Sequence, residues 1–362
     1  MENRKLCLLI PSLQAGGMER VMSELAWYFS RKISLELHIV LFGITREVFY
    51  KVPEKAIIHE PSFRFRNSLR MIYSLRTLLY LRSSVKSISP SAILSFGEYW
   101  NSFVLIALFR LRYPIFISDR CQPDKHLGIV HNFLRRILYP AATGVIAQTE
   151  KARDIYNNQF LNNNIRVIGN PIRTIQLISN IQKENIILTV GRLISTKHHD
   201  RLIKVFLNIE DTGWKLVIVG YDHLKQNNSE ILRKIIAENC AEERVILEGK
   251  QADVESYYLK SRIFAFMSSS EGFPNVIGEA MSAGLPVVAY DCTAGPSEMI
   301  RDSRNGFLVP LYNDGLFKEK LQLLMENEEL RNNLGSQAKK DISRFSIESV
   351  GEQFIKFMKI ET

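Results

Sequence analysis

The run IFAFMSSSEGFPNVIGEAMSAGLPVVAY, residues 263–290, decides the fold. It opens on an uncharged, largely apolar stretch too short for an ordinary helix, residues 263–268. A polar loop follows, then a helical pattern from about Asn275, then a second apolar stretch, LPVVAY, at 285–290. Strand, loop, helix and strand in that order form a βαβ unit. Both strands read apolar throughout because a parallel sheet is covered on both faces. The alternation continues outward. Strands are predicted upstream at 185–191, 214–220 and 244–249 and downstream at 307–310, before helical patterns at 314–344 and 347–360. A separate series precedes residue 172, with strands at 5–10, 35–42, 56–60, 92–96, 114–118, 144–149 and 166–169. The fold class is therefore α/β, built from two Rossmann-like series.

At 362 residues the chain exceeds one ordinary core and fits two domains. The turn Gly169-Asn170-Pro171-Ile172 separates them, giving a first domain over 1–172 and a second over 173–346. The last helix, 347–362, is expected to cross back to the first. Two such domains would face each other across a deep cleft, with the carboxyl ends of both sheets toward it. Hydrophobic residues make up 46% and charged residues 23%, and no low-complexity tract dilutes them, so disordered, collagenous and solenoid readings fall away. The longest unbroken apolar run, Phe103 to Phe109, is far short of the roughly 18–20 residues that span a bilayer. The apolar stretch near the start is shorter than a signal-peptide core and reads as the first strand. Cys7, Cys121, Cys240 and Cys292 form no C-x-x-C pair, so neither a disulfide framework nor a zinc site is expected, and the chain reads as cytoplasmic.

The net charge of +9 is divided unevenly. Residues 1–172 hold 23 Lys and Arg against 12 Asp and Glu, whereas residues 173–362 hold 24 against 26. A one-sided basic field calls for an anionic partner. Its densest part is residues 63–82, where Arg64, Arg66, Arg70, Arg76 and Arg82 alternate with Phe63, Phe65, Met71, Ile72, Leu75, Leu78 and Leu79. That stretch reads either as an amphipathic helix on an anionic membrane surface or as a core-packing helix with solvated arginines. Nucleic acid is not expected as a partner, because no nucleic-acid motif accompanies the charge.

Three loops carry chemistry. In Glu271-Gly272-Phe273-Pro274-Asn275-Val276-Ile277-Gly278-Glu279, two carboxylates stand eight residues apart across a loop and a helix start. Phe273-Pro274 keeps the loop non-helical, and Asn275 is expected as an N-cap whose following amides are unpaired and fit a phosphate. Glu279 lies about one turn into the helix, and an ionised carboxylate can accept two sugar hydroxyls. Gly191-Arg192-Leu193-Ile194-Ser195-Thr196-Lys197 follows the first strand of the second series, where a guanidinium and an ammonium could neutralise a diphosphate. Gly16-Gly17-Met18-Glu19-Arg20 follows the first strand of the chain; it lacks a full G-x-G-x-x-G, so no NAD site is supported, and it reads as a close-approach site or a simple tight turn.

Taken together and in this order, Gly16-Gly17 with Glu19-Arg20, Gly191-Arg192 with Lys197, and Glu271-x7-Glu279 followed by Met281-Ser282-Ala283-Gly284-Leu285-Pro286-Val287 resemble the retaining glycosyltransferases of family 4, which have the GT-B fold. The likeness is nearest to bacterial enzymes that add N-acetylhexosamines to polyprenyl-diphosphate-linked glycans or lipopolysaccharide, O-antigen synthesis included. The resemblance implies a nucleotide-sugar donor, UDP-linked, and a lipid-linked glycan acceptor. It implies that Arg192 and Lys197 bind the donor diphosphate, that Glu279 holds the ribose and that Glu271 meets the transferred sugar. Amides of Gly272, Phe273, Pro274, Asn275 and Val276 would complete the sugar's cradle, proline contributing only its carbonyl. Leu247-Glu248-Gly249-Lys250-Gln251 would lie by the base, and Gly16-Gly17 by the donor phosphate.

Two departures stand out. Many relatives carry a histidine where this chain has Ser118-Asp119-Arg120-Cys121, so Arg120 is expected to engage an anionic acceptor instead; Glu98, Tyr99 and Asn101, after the strand at 92–96, read either as acceptor-binding residues or as mere loop. After Val219-Gly220 the chain continues Tyr221-Asp222-His223 rather than with a second glycine. No Asp-x-Asp occurs, and neither a metal nor a cofactor is expected, the donor being a substrate. Transfer would then proceed by front-face attack, with double displacement through Glu271 as the chemical alternative; a nucleotide-sugar 2-epimerase and a non-catalytic lipid- or polymer-binding protein are the functional ones. His198-His199 read as surface residues, with capping of the next helix or lining of the cleft as the alternatives, and Trp27 and Phe29 as core rather than ligand contacts.

Overall fold

The computed structural model describes residues 4–32, 35–44, 48–176, 181–210, 213–222 and 226–360, and the chain divides into two compact units, Met1–Pro171 with Ile347–Thr362, and Ile172–Ser346. In the first unit seven strands form one parallel sheet: β1 (Arg4–Ile10), β2 (Leu35–Leu41), β3 (Ile57–His59), β4 (Ala92–Phe96), β5 (Ile115–Ser118), β6 (Gly144–Ala147) and β7 (Ile165–Val167). They lie in the order β3-β2-β1-β4-β5-β6-β7. The central strand β1 pairs with β2 along its whole length and with β4 from Leu6 to Leu9. Leu6 to Ile10 are fully buried, as the uninterrupted apolar reading of that strand requires.

Five helices connect these strands: α1 (Gly17–Arg31), α2 (Arg70–Ile88), α3 (Asn101–Ala107), α4 (Ile129–Leu138) and α5 (Glu150–Gln159). Side chains of α2, α3 and α5 share one core with β1, β4, β5 and β6, so these helices cover the same side of the sheet. The basic stretch at 63–82 is not one helix. Residues 63–66 are irregular, a short 3₁₀ turn covers Asn67–Leu69, and α2 starts only at Arg70. Phe63 and Phe65 fold back onto Tyr73, each 5.8 Å between ring centroids, and the Arg76 guanidinium sits 4.8 Å over Phe63. Phe29 is core, but Trp27 is 38% exposed, because its indole N–H reaches the Lys51 carbonyl at 2.9 Å on the rim of α1.

The second unit holds β8 (Ile186–Val190), β9 (Lys215–Val219), β10 (Val245–Gly249), β11 (Ile263–Phe266), β12 (Val287–Asp291) and β13 (Gly306–Pro310), all parallel, in the order β10-β9-β8-β11-β12-β13. Both sheets thus run outward from their first strand, return, and run outward the other way, which is the doubly wound pattern. Helices α6 (His199–Leu207), α7 (Asn228–Glu238), α8 (Glu255–Lys260), α9 (Asn275–Ser282), α10 (Pro296–Met299), α11 (Asp314–Glu326) and α12 (Glu328–Ile342) cover the second sheet. The last helix, α13 (Ile347–Met358), belongs to the first unit: Phe354 meets Phe96 of β4 and Phe357 meets Phe116 of β5 at 5.2 Å.

Candidate active site

The second sheet reverses direction between β8 and β11, and open parallel sheets bind ligands outside their carboxyl ends at such a point. The two loops leaving these strands are tied together. The Ser269 amide donates to the Thr196 carbonyl at 2.9 Å, and the hydroxyls of Ser268 and Ser269 reach the same oxygen at 3.3 Å. On its other side the first loop is held by the Leu193 amide, which donates to the Tyr221 carbonyl at 2.9 Å.

Pinned in this way, the first loop delivers Lys197 to Glu271, Nζ to Oε1 at 2.5 Å. The two side chains are 15% and 12% exposed, so the pair is drier and less screened than a surface ion pair. The ammonium also lies 5.0 Å from the centroid of the Phe266 ring. With three N–H groups, Lys197 keeps donors for an anion after satisfying Glu271. Arg192 stands exposed on the same loop. His199, expected at the surface, is buried as the first residue of α6; burial, with Lys197 and His198 nearby, pulls its pKa down to about 3. His198 is partly exposed and bonds Ser269 Oγ at 2.8 Å, so it ties the two loops rather than facing solvent.

Glu279 is the fifth residue of α9 and accepts a hydrogen bond from the Tyr258 hydroxyl at 3.1 Å. Nothing in the sequence singles out Tyr258: it is one of two adjacent tyrosines on α8, Tyr257 and Tyr258, and only the fold brings it to Glu279. Asn275 is not the N-cap. It is the first residue of α9, preceded by Pro274, which makes no side-chain cap. The turn also consumes amides that were expected free, since Asn275 N–H donates to the Phe273 carbonyl at 3.0 Å and Ile277 N–H to the Pro274 carbonyl at 2.9 Å. Phe273 is 7% exposed, anchored edge-on against Phe345, while Gly272 and Val276 are partly exposed.

Beside this loop pair the backbones of Gly191, Gly220 and Gly249 align at the ends of β8, β9 and β10. Gly191 N–H donates to Val219 at 3.0 Å and Gly220 N–H to Gly249 at 2.9 Å. A Cβ on Gly220 would collide with the Gly191 carbonyl oxygen, so this close approach requires glycine. A cavity of about 150 Å³ opens next to it, lined by Leu193, Tyr221, Asp222 and Leu247, with the Lys250 ammonium 5.3 Å from the Tyr221 ring centroid. The Ser229 hydroxyl and amide hold Asp222 below the usual carboxylate range. His223 lies outside the described residues.

In the first unit the equivalent reversal lies between β1 and β4. Gly16 immediately precedes α1, and the space a Cβ would take there is filled by the Glu19 carboxylate. Gly17 is exposed and opens the helix. After β4, Glu98 is partly exposed and accepts from the Arg120 amide at 3.4 Å, whereas Asn101 is fully buried, bonded to Ser95 and Asp119. Arg120 turns inward. Its guanidinium carbon is 3.4 Å from the Phe96 ring centroid, Nη1 donates to Asn170 Oδ1 at 2.5 Å, and Nε and Nη2 are buried without a partner. Burial pulls its pKa down to about 9. Among the described residues, no group of three or more His, Cys, Asp or Glu is placed to hold a metal ion.

Two family descriptions together match most of the chain: Glycosyltransferase Family 4 over residues 15–176 and Glycosyl transferases group 1 over 172–341. The chain belongs to the family 4 glycosyltransferases. Among its relatives, the amylovoran biosynthesis glycosyltransferase AmsD of Erwinia amylovora is 29% identical, the match covering 92% of this chain and 93% of that protein. A Campylobacter jejuni N-acetylgalactosamine-N,N'-diacetylbacillosaminyl-diphospho-undecaprenol 4-alpha-N-acetylgalactosaminyltransferase is 28% identical over 98% of this chain and 99% of its own. The GT-B architecture of this glycosyltransferase is shared with Anabaena HepE, solved in complex with UDP, at a TM-score of 0.85 with 19% identity, covering 99% and 100% of the two chains. TarM superposes with a TM-score of 0.81 and 17% identity over 98% of both.

Proposed function

We propose that this glycosyltransferase moves an N-acetylhexosamine or hexose from a UDP-sugar, with retention of configuration, onto a polyprenyl-diphosphate-linked glycan in bacterial cell-surface polysaccharide synthesis. The observation that carries the reading is the Lys197–Glu271 pair at the reversal point of the second sheet, flanked by Arg192, Glu279 and the glycine row. Its donor chemistry suits a diphosphate on the cationic side and sugar hydroxyls on the carboxylate side. The activity of the Campylobacter relative, on a diphospho-undecaprenol-linked sugar, and the UDP bound to HepE support acceptor and donor class.

In the reaction the acceptor oxygen bonds to the anomeric carbon as the bond from that carbon to the diphosphate oxygen breaks. The acceptor proton passes to the departing phosphate. Negative charge grows on the diphosphate, and Lys197 and Arg192 stabilise it where it develops, without a metal or a cofactor. Glu271 stays ion-paired to Lys197 and orients the sugar, which leaves it a poor nucleophile for double displacement. Glu279, fixed by Tyr258, takes the ribose hydroxyls, and Lys250 with Tyr221 borders the base. Work on a lipid-linked acceptor sets the enzyme at the cytoplasmic face of the plasma membrane as a peripheral protein, drawn there by the basic stretch 63–82. On α2 this stretch leaves Met71, Ile72, Leu75 and Leu79 exposed.

The test is a panel of UDP-sugars scored by nucleotide release, followed by polyprenyl-diphosphate acceptors with the product's anomeric configuration read by NMR. Retained configuration with EDTA-resistant turnover is expected. Inversion, loss of activity in EDTA, or an epimerised donor in the absence of acceptor would overturn the reading.

A further inference from the structure

Helix α4 is inside out. Its only buried residue is Arg135, while Ile129, Val130, Phe133 and Ile137 are 83%, 66%, 62% and 55% exposed. At helical spacing those four fall within one arc of about 100°, and Arg135 points the opposite way. The cause is in the sheet. Asp119, buried at the end of β5, holds Arg135 by a 2.5 Å ion pair, and the guanidinium also lies 4.9 Å from the Phe160 ring centroid. The helix must turn its polar residue inward to neutralise a buried carboxylate, so its apolar face goes to solvent.

That face is not isolated. Helix α3 packs against both α2 and α4, and Ile106 and Phe109 at its end are 41% and 62% exposed. Arg82 of α2 clamps the same end by donating to the carbonyls of Ala107 at 3.0 Å and Phe109 at 2.9 Å. Tyr99, in the loop after β4, meets His131 of α4 edge-on at 4.9 Å, which ties the helix to the reversal point of the first sheet. An exposed apolar surface of this extent marks an interaction site. Charge selects the partner: residues 61–138, which include α2 to α4, carry 12 Lys and Arg against 3 Asp and Glu. No helix among the described residues is long and apolar enough to cross a membrane, so contact with lipid would be interfacial.

We propose that α4, with the end of α3, is the element that inserts into the surface of an anionic bilayer, its apolar arc entering the acyl boundary and the surrounding cations, α2's included, pairing with lipid headgroups. This rests on the membrane-surface reading of the proposed function and adds the inserting element. It sets the lipid surface beside the loop after β4, where a lipid-borne acceptor would arrive.

The experiment is partition of the full chain into vesicles of phosphatidylcholine with 30% phosphatidylglycerol, for wild type, Ile129→Ser/Phe133→Ser, and Ile231→Ser, which alters an exposed residue of the second unit. The double substitution should lower the partition coefficient roughly tenfold or more, the Ile231 change should leave it alone, and both variants should keep the wild-type melting temperature. In Phe133→Trp, quenching by brominated lipid should exceed that of the wild-type tryptophans. Unchanged partition of the double variant, with no added quenching at position 133, overturns the inference even if substitution of the α2 arginines abolishes binding. A dimer in light scattering that the double substitution dissociates assigns the face to a second copy and likewise overturns it. Because turnover on a water-soluble acceptor plays no part in these readings, failure of the transferase assignment would show separately, in the donor panel.

Discussion

Replacing Asp119 with alanine tests the core of the first unit most directly. The carboxylate is fully buried and accepts three hydrogen bonds: from Arg135 at 2.5 Å, from the Tyr139 hydroxyl at 2.6 Å and from Asn101 Nδ2 at 2.9 Å. Burial alone would pull the Arg135 pKa down, and the charge of Asp119 more than reverses that, raising it overall. Removing the carboxylate therefore strands a positive charge whose side chain is only 4% exposed. Breaking one side of such a pair costs about 3–5 kcal/mol, a large part of the roughly 5–15 kcal/mol that holds a domain folded. For a unit of this size, about 2–4 °C per kcal/mol gives a fall in melting temperature of roughly 6–20 °C. Calorimetry of the full chain should show a transition moving by that amount, with hydrogen exchange over residues 129–138 accelerated as α4 loses its anchor. The paired substitution Asp119→Leu/Arg135→Met, which leaves no uncompensated charge, should recover most of the loss. A single variant destabilised by less than about 1 kcal/mol, or a double variant as unstable as the single, would refute the reasoning.

Other expected outcomes follow from the second unit. Lys197→Ala and Arg192→Ala should each lower kcat/KM about 100-fold or more with the fold intact, as loss of a preorganised charge at the leaving group does. Glu271→Gln should behave differently: by freeing the Lys197 ammonium it should tighten UDP about tenfold in calorimetric titration while slowing transfer, and equal weakening of both would contradict the assigned roles. His199, held to about pKa 3 against an ordinary value of 6.5, should cost stability as pH falls. The unfolded chain binds its proton from about pH 6.5 while the folded ring refuses it until about 3, a slope of up to about 1.4 kcal/mol per pH unit over that window. Urea midpoints of wild type and His199→Phe should therefore converge toward neutral pH and diverge in acid, with the wild type falling faster. At Gly278 a Cβ would lie 2.6 Å from Ile172 Cδ1, so Gly278→Ala should lose about 1–3 kcal/mol, read as a lower urea midpoint at unchanged slope.

What the sequence reveals here and what it hides divide along a physical line. Strands of a parallel sheet are covered on both faces, so segments such as KLCLLI and LPVVAY announce themselves as apolar runs, and the strands expected from them are present in both sheets. Helix α4 could not be read the same way. Its apolar spacing suggests an inward face, but Asp119, ten or more residues earlier, reverses the helix through a contact that no local pattern encodes. Asn275 shows a local preference losing to its neighbours: asparagine favours the cap, yet the Phe273-Pro274 turn advances the helix start by one residue and draws the nearby amides onto its own carbonyls. His199 reads in the sequence as one of two adjacent surface histidines, yet it is buried as the first residue of α6, directly after the left-handed turn at His198, φ 50°.

The contrast between the two reversal points follows from what each sheet places there. In the second unit, whose sequence half carries no net positive charge, the cations of the proposed diphosphate site must be local, and Lys197 is paired to Glu271. That pairing is useful chemically. An ammonium with no carboxylate beside it would hold UDP after transfer as firmly as the donor before it, and product release would slow. With Glu271 at 2.5 Å, part of the ammonium's attraction is returned whenever the phosphate leaves, so the site can favour the charge that develops during bond breaking over the charge at rest. In the first unit the corresponding loops hold buried polar groups such as Asn101 and Asp119, Arg120 and Arg135 turn inward beside them, and the remaining basic excess is spread over the unit. Strong, dispersed positive charge suits a broad anionic surface, whereas a single small dianion is better met by a few positioned donors. Two sheets wound in the same strand order thus come to suit different kinds of anion, and the difference resides in the loops and the outer helix faces rather than in the fold.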